Sequence, residues 1–106
     1  MTDFYFDTSG DWIAYSVDQR NVWSKDGDWV GWRAFGDADV ITPSGNYLGT
    51  IVGNRLVHFD IHPFRGYPGY PGYPGYPGYP GYPGFAGFAG FIPGARDLEP
   101  SDYDDG

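Results

Sequence analysis

A three-residue repeat limits what the last third of this chain can fold into. From Gly66 to Ile92 the sequence consists of nine uninterrupted triplets: six Gly-Tyr-Pro, two Gly-Phe-Ala and one Gly-Phe-Ile. Proline fixes its own φ at about −65° and has no amide proton, so a proline at every third position excludes both α-helix and central β-strand. The triplets carry no acid, base, nucleophile or metal ligand for neutral pH. The segment must therefore act through its shape and its aromatic surface.

The triplet period leaves three conformations open. A polyproline II (PPII) helix has three residues per turn, so the segment would form a rod of ~80 Å. A collagen-like triple helix also needs Gly at every third position. The third possibility is disorder, which is common in Pro-Gly-rich sequence. We favour the PPII rod, whose tyrosines would lie along one edge and dock on aromatic grooves: Tyr67, Tyr70, Tyr73, Tyr76, Tyr79 and Tyr82.

The first two-thirds of the chain contain four similar segments. They are YFDTSGDWIAY, VWSKDGDWVGW, VITPSGNYLGT and VHFDIHPFRGY, which start at Tyr5, Val22, Val40 and Val57. Three of them contain Ser-Gly or Asp-Gly followed by Asp or Asn, which supplies the positive φ of a tight turn between two strands. One hairpin is not stable alone, so four must pack together. The pattern predicts an all-β domain of about eight short antiparallel strands.

The recurrence of SGDWIAY, DGDWVGW and SGNYLGT at this spacing resembles the bacterial four-fold beta flower family. The resemblance covers Tyr5 to Tyr67 and implies four β-hairpins around a pseudo-four-fold axis. The fourth segment departs from the pattern, with His62 and Pro63 where its turn is expected. The family has no known function, so the resemblance implies a fold and no activity. The predicted organisation is a four-hairpin domain over residues 1–66, the triplet segment over 67–94 and an acidic, solvated tail over 95–106.

Strand alternation predicts which side chains share a face of the sheet. Ile13 with Tyr15 and Val30 with Trp32 would form the core face. Four large aromatic residues would lie on the opposite face, each beside a small residue of its segment: Trp12 with Ala14, Trp29 with Gly31, Tyr47 with Gly49 and Phe64 with Gly66. This second face is either another buried layer or a ring of aromatic grooves, and grooves of that kind bind PPII segments elsewhere.

Charge and composition exclude several classes of partner. The net charge is −8, which disfavours nucleic acid and anionic membranes, because both are bound through clustered Lys and Arg. The absence of cysteine excludes disulfides and thiolate chemistry. No signal peptide or long apolar run is visible, so a cytoplasmic location is expected, with leaderless export left open.

Catalytic chemistry has little support in the sequence. His58, Asp60 and His62 alternate as on one strand face and form the best candidate for a Zn²⁺ or Fe²⁺ site, but the segment alignment places His62 in a turn. No catalytic or phosphate-binding motif occurs, so we expect a protein that is not an enzyme and has no cofactor.

The aromatic surplus, 21% of residues, favours an adhesive surface. The first hypothesis is a structural protein that assembles with itself, as an oligomer, trimer or filament, through its triplet segment. The alternative is a binding module that presents Trp12, Trp29, Tyr47 and Phe64 to glycans or Pro-rich peptides.

Overall fold

A computed structural model of the chain describes residues 2–103, in which the secondary structure is eight short β-strands and one turn of 3₁₀ helix. Residues 104–106, the end of the predicted acidic tail, lie outside the described residues. The strands are β1 (Asp3–Phe6), β2 (Trp12–Ser16), β3 (Asn21–Ser24), β4 (Trp29–Trp32), β5 (Asp39–Ile41), β6 (Tyr47–Val52), β7 (Arg55–Phe59) and β8 (Ala95–Asp97). The 3₁₀ helix spans Pro100–Asp102. The all-β prediction is confirmed.

The strands form a single sheet that closes on itself. Each strand pairs antiparallel with the next in sequence, from β1 to β8. β1 also pairs in parallel with the beginning of β7, where Phe6 lies opposite Arg55 and its amide donates a 2.8 Å hydrogen bond to Asn54. The first seven strands therefore make a closed barrel, and β8 is an extra strand along the end of β7.

The barrel interior is filled by one buried residue from each of its seven strands. This interior cluster consists of Tyr5, Ala14, Val22, Val30, Val40, Leu48 and Leu56, all at most 5% exposed. Because one residue per strand reaches the axis, the side chains must be small or aliphatic in most positions to fit together.

The turns of the first three hairpins share one hydrogen-bonding pattern. A side-chain oxygen at the first turn position accepts the amide proton of the residue four places later: Asp7 from Asp11 (2.9 Å), Ser24 from Asp28 (3.1 Å) and Thr42 from Asn46 (3.0 Å). The residue before each of these donors is a glycine with positive φ: Gly10 (+101°), Gly27 (+94°) and Gly45 (+98°). Asp, Ser and Thr stabilise such turns because their short side chains reach the backbone, and glycine accepts the positive φ without strain.

A β-bulge in each of these hairpins changes which residues face the interior. The register shifts between Tyr5 and Phe6, between Val22 and Trp23, and between Val40 and Ile41. Three residues on the partner strands are left unpaired: Ile13, Val30 and Leu48. All three pack in or against the interior cluster. The predicted strict alternation of faces was therefore wrong, because a bulge adds one residue and reverses the sequence of faces beyond it.

The triplet segment wraps around the barrel and does not form a rod. Every glycine in it, from Gly66 to Gly90, has a φ between +83° and +100°. A PPII or collagen helix needs a φ of about −75° at each residue, so neither predicted helix is adopted. The longest dimension of the molecule is 35 Å, less than half of the predicted rod. We refer to residues 66–92 as the belt.

The chain after the belt returns to the barrel. Residues 95–97 form β8, in which Asp97 lies opposite Val57, and the Asp97 carboxylate accepts hydrogen bonds from the amide (2.8 Å) and hydroxyl (2.9 Å) of Thr8. Leu98 and Tyr103 pack against the interior cluster. The prediction of a solvated tail from residue 95 was therefore wrong for these residues.

Candidate functional site: the aromatic belt

A cluster of aromatic residues, separate from the interior cluster, lies between the barrel and the belt. It contains the buried side chains of Phe6, Trp12, Tyr15 and Trp23, and Phe4, Trp29 and Ala86 pack against it. The bulges place Trp12 and Trp29 here, because each stands directly before an unpaired residue that turns inward. This outer cluster is the surface on which the belt lies.

Belt tyrosines alternate with barrel tryptophans along this surface. Trp29 contacts Tyr70 and Tyr73, with ring centroids 5.9 and 5.8 Å apart. Trp23 contacts Tyr73 and Tyr76 at 5.8 and 5.9 Å, so Tyr73 lies between two indoles. The interplanar angles of these four pairs are 58° to 82°, in the range of tilted and edge-to-face packing that aromatic pairs favour.

The alternation continues beyond Tyr76. Trp12 contacts Tyr79 and Tyr82 at 5.9 and 6.1 Å. Between the two groups, the Tyr15 hydroxyl donates a 2.8 Å hydrogen bond to the carbonyl of Gly78. Burial raises the pKa of Tyr15 to about 12, and the neighbouring Tyr76 phenol contributes to the shift. The triplet period thus places one ring beside or between indoles at each step.

The belt passes the hairpin turns in the reverse of their order in the chain. Tyr67 packs against Gly45 in the third turn, and Tyr76 packs against Gly27 in the second. Gly87 meets Gly10 in the first turn, where a Cβ on Gly10 would lie 2.6 Å from the Gly87 backbone. Since successive turns belong to successive hairpins of a closed barrel, this path takes the belt around the barrel.

Hydrogen bonds fix the end of the belt at the first turn. The amides of Ala86 and Ala89 donate to the carbonyls of Gly10 (2.9 Å) and Thr8 (2.8 Å). The Arg55 guanidinium donates to the carbonyl of Gly87 (2.7 Å), and also to that of Asp7 (3.0 Å) in the turn. Hydrogen bonds from a charged donor are stronger than neutral ones, so Arg55 clamps belt and turn together.

The other side of the belt faces solvent. Nine aromatic side chains, one from each triplet, are between 51% and 85% exposed: Tyr67, Tyr70, Tyr73, Tyr76, Tyr79, Tyr82, Phe85, Phe88 and Phe91. We call this set the exposed aromatic stripe. Each of the tyrosines from Tyr70 to Tyr82 thus has one part of its ring against the barrel and the rest in solvent.

The structure separates the four predicted groove aromatics. Trp12 and Trp29 lie under the belt and contact its tyrosines. Tyr47 stacks on His62 at 3.8 Å and its hydroxyl bonds to Thr50 at 2.6 Å. Phe64 is outside any strand and is 93% exposed. The predicted ring of four equivalent grooves is therefore not formed.

The sequence analysis did not place Trp23, Tyr15 or Arg55 in the site, although each contacts the belt. Trp23 contacts two belt tyrosines and is 1% exposed. The segment alignment could have identified Trp23, because it occupies the second position of its segment, as the aromatic Phe6 does in the first segment. Both belong to the outer cluster.

The three candidate metal ligands, His58, Asp60 and His62, interact with other groups of the protein. The Nδ1 atoms of His58 and His62 lie 2.8 and 3.0 Å from the carbonyls of Leu48 and Phe59. Asp60 lies 3.6 Å from the Arg96 guanidinium. Within residues 2–103, no group of three or more His, Cys, Asp or Glu side chains is placed to hold a metal ion.

Arg96 fixes the C-terminal 3₁₀ turn instead. It makes two hydrogen bonds of 2.8 Å to the Asp102 carboxylate. These bonds hold the pKa of Asp102 below its ordinary value, partly against the effect of burial. The Arg96–Asp102 pair therefore keeps Tyr103, the next residue, near the barrel.

Comparisons of the chain with protein-family models, with curated proteins and with solved structures found no match. In the described part of the chain, no helix has the length and apolar character needed to span a membrane.

Proposed function

We propose that this protein is a non-enzymatic structural module that associates with copies of itself through the exposed aromatic stripe. The observation that carries the proposal is the regular presentation of nine half-exposed or exposed aromatic rings along one segment. Contiguous exposed apolar patches on soluble proteins usually mark interaction surfaces. Aromatic rings are also the side chains most enriched at the centres of such interfaces.

The rigidity of the belt supports the same proposal. The rings of Tyr70 to Tyr82 are held from below by indoles, so little side-chain entropy remains to be lost when a second copy packs on their outer edges. A stripe of this kind is self-complementary if two copies meet with their belts antiparallel, as in a two-fold dimer.

We also propose that the barrel is a four-hairpin repeat whose fourth turn has been replaced by the belt, as in a modified four-fold beta flower. The equivalent pairs Tyr5–Ala14, Val22–Gly31 and Val40–Gly49 support this arrangement. The corresponding first residue of the fourth segment is Val57, and its partner is Asp97 of β8. The 35 residues from Asp60 to Gly94 then stand where the other hairpins have a short turn.

Sedimentation equilibrium over a range of protein concentrations tests the self-association. We expect the average mass of the wild-type chain to rise with concentration, and to rise further with added salt, because the net charge of −8 opposes association. The triple variant F85S/F88S/F91S removes three of the four most exposed rings of the stripe and should stay monomeric.

The matched control is V17S/V52S, which removes two exposed apolar side chains that are not in the belt. It should associate as the wild type does. A wild-type chain that remains monomeric at every concentration and salt level would overturn the proposal, and so would equal loss of association in the control.

The binding-module alternative is weaker at the predicted positions. Trp12 and Trp29 are covered by the chain's own tyrosines, so a glycan or Pro-rich peptide would have to displace the belt to reach them.

A further inference from the structure

A large cleft opens between the belt and the second and third hairpin turns. Its volume is about 1020 Å³, at the upper end of the range for small-molecule sites. Its walls come from Tyr67, Tyr70 and Tyr73 of the belt and from Trp29 of β4. This cleft involves only the first third of the belt and includes side chains that take no part in the stripe.

Five residues that line the cleft are aromatic, Tyr103 being the fifth, and Ile13, Val30 and Pro43 add aliphatic surface. Tyr70 and Tyr73 contact Trp29 from two directions, at interplanar angles of 58° and 72°. Neither tyrosine ring is stacked flat on the indole, and all three rings line the cleft. Tyr67 is held at the third turn by its contact with Gly45, so the fourth ring has a fixed position as well.

Two carboxylates at the rim of the cleft have no partner. Asp26 and Asp28 are exposed, and among residues 2–103 neither carboxylate makes a hydrogen bond or ion pair. Their backbone amides are fixed by bonds of 3.3 and 3.1 Å to the Ser24 hydroxyl. Both acids thus sit on a rigid turn, and Lys25 is the single basic residue lining the described part of the cleft.

We propose that this cleft binds an organic cation, with an alkylated ammonium group as the recognised chemistry. The negative faces of aromatic rings attract a cation, and several rings around one space make the cage that recognises quaternary ammonium ions. The two carboxylates add charge complementarity, and the net charge of −8 raises the local concentration of cations. An anion would meet the same carboxylates unfavourably.

A pair of isosteric probes tests the proposal. Choline and its uncharged analogue 3,3-dimethylbutan-1-ol have the same shape and differ in the central atom, nitrogen or carbon. We expect choline to shift the indole N–H resonance of Trp29 in the full-length protein and to bind about tenfold more tightly than the alcohol. Equal affinities, or tighter binding of a neutral maltooligosaccharide, would overturn the cation site.

Substitutions locate the binding. D26N/D28N keeps the size of both side chains and removes their charge, so choline should bind several-fold more weakly. Tyr70→Leu removes one wall and should also weaken binding, whereas Tyr70→Phe should not. Tyr82→Leu is the matched control, because Tyr82 contacts Trp12 outside the cleft; unchanged binding in D26N/D28N, or equal loss in Y82L, would contradict the proposal.

The experiment is independent of self-association when all measurements use the F85S/F88S/F91S background. None of these three phenylalanines lines the cleft. Choline binding by a monomer would then support the cation site whether or not the wild-type chain associates.

Discussion

At the residue scale, glycine controls the path of the belt. The nine belt glycines from Gly66 to Gly90 all have a φ near +90°, a region that L-residues with a side chain rarely adopt. A Cβ added at any of the nine would meet no other atom within 4 Å, so lack of space does not explain the glycines. The backbone conformation is the reason, and the same glycine period that suggested collagen serves a different geometry here.

Gly75→Ala is therefore predicted to destabilise the protein by about 1–3 kcal/mol, because alanine is strained at the φ of +85°. Urea denaturation followed by tryptophan fluorescence would measure the change. The control is D-alanine at the same position, introduced by chemical ligation, which favours positive φ and should restore stability. If L-alanine at position 75 left the protein as stable as the wild type, a PPII conformation would be favoured instead.

The buried phenol of Tyr15 should make the stability of the fold depend on pH in the alkaline range. Its pKa is about 12 in the folded chain and 10.0 for an ordinary tyrosine, so the neutral form is favoured by folding. This contribution to stability is complete below pH 10 and is lost as the pH rises towards 12, because only the unfolded chain ionises in that interval. Denaturation at several alkaline pH values should show a smaller decline for Tyr15→Phe than for the wild type. Parallel declines in both proteins would contradict the assignment.

At the scale of the strands, part of the fold followed from local chemistry. The three turns at Gly10, Gly27 and Gly45 and the hairpins on either side could be predicted, because turn residues act within a few positions of the chain. The bulges could not be predicted, since they depend on how the aromatic residues of neighbouring strands pack. A strict period of two therefore placed Trp12 and Ala14 on one face, whereas Ala14 lies in the interior cluster and Trp12 in the outer one.

The candidate site, like the strands, could be predicted only in part. Its aromatic character and the involvement of the triplet tyrosines were predicted from the sequence. The positive φ of the glycines, and the return of residues 95–97 as β8, depend on contacts with the barrel that no local pattern encodes. The fourth segment was misread for this reason: Gly66 was taken as the small residue of its hairpin, and the partner of Val57 is in fact Asp97.

The close contact of Gly49 with the neighbouring strand predicts that a side chain at this position destabilises the protein. A Cβ on Gly49 would lie 2.7 Å from the carbonyl oxygen of Val57 in the next strand. Gly49→Ala should therefore cost about 1–3 kcal/mol in unfolding free energy, because backbone must move to admit the methyl group. Val52→Ala, at the exposed end of the same strand, should change stability by less than about 0.5 kcal/mol. Equal effects of the two substitutions, measured by urea denaturation, would show that strand spacing does not require glycine here.

At the scale of the whole molecule, a small barrel is enlarged by a segment that could not form a core alone. The barrel supplies indoles, and the belt supplies rings that cover them, so each protects the apolar surface of the other. The belt carries no charged residue from Gly66 to Ile92, so its surface is apolar and aromatic throughout. Five of the 14 acidic residues of the chain follow the belt. The outer edges of the belt rings remain as the main apolar surface available to another molecule.

Because the belt is joined to β7 at one end and to β8 at the other, it is anchored on both sides of any point along it. A single cut by a protease between Tyr67 and Phe91 would leave an N-terminal fragment with its seven strands paired, and the C-terminal fragment would stay attached to it through the β7–β8 pairing and the hydrogen bonds from Thr8 to Asp97. The nicked protein would then remain a two-piece complex, and its separated parts could be recombined as complementary fragments.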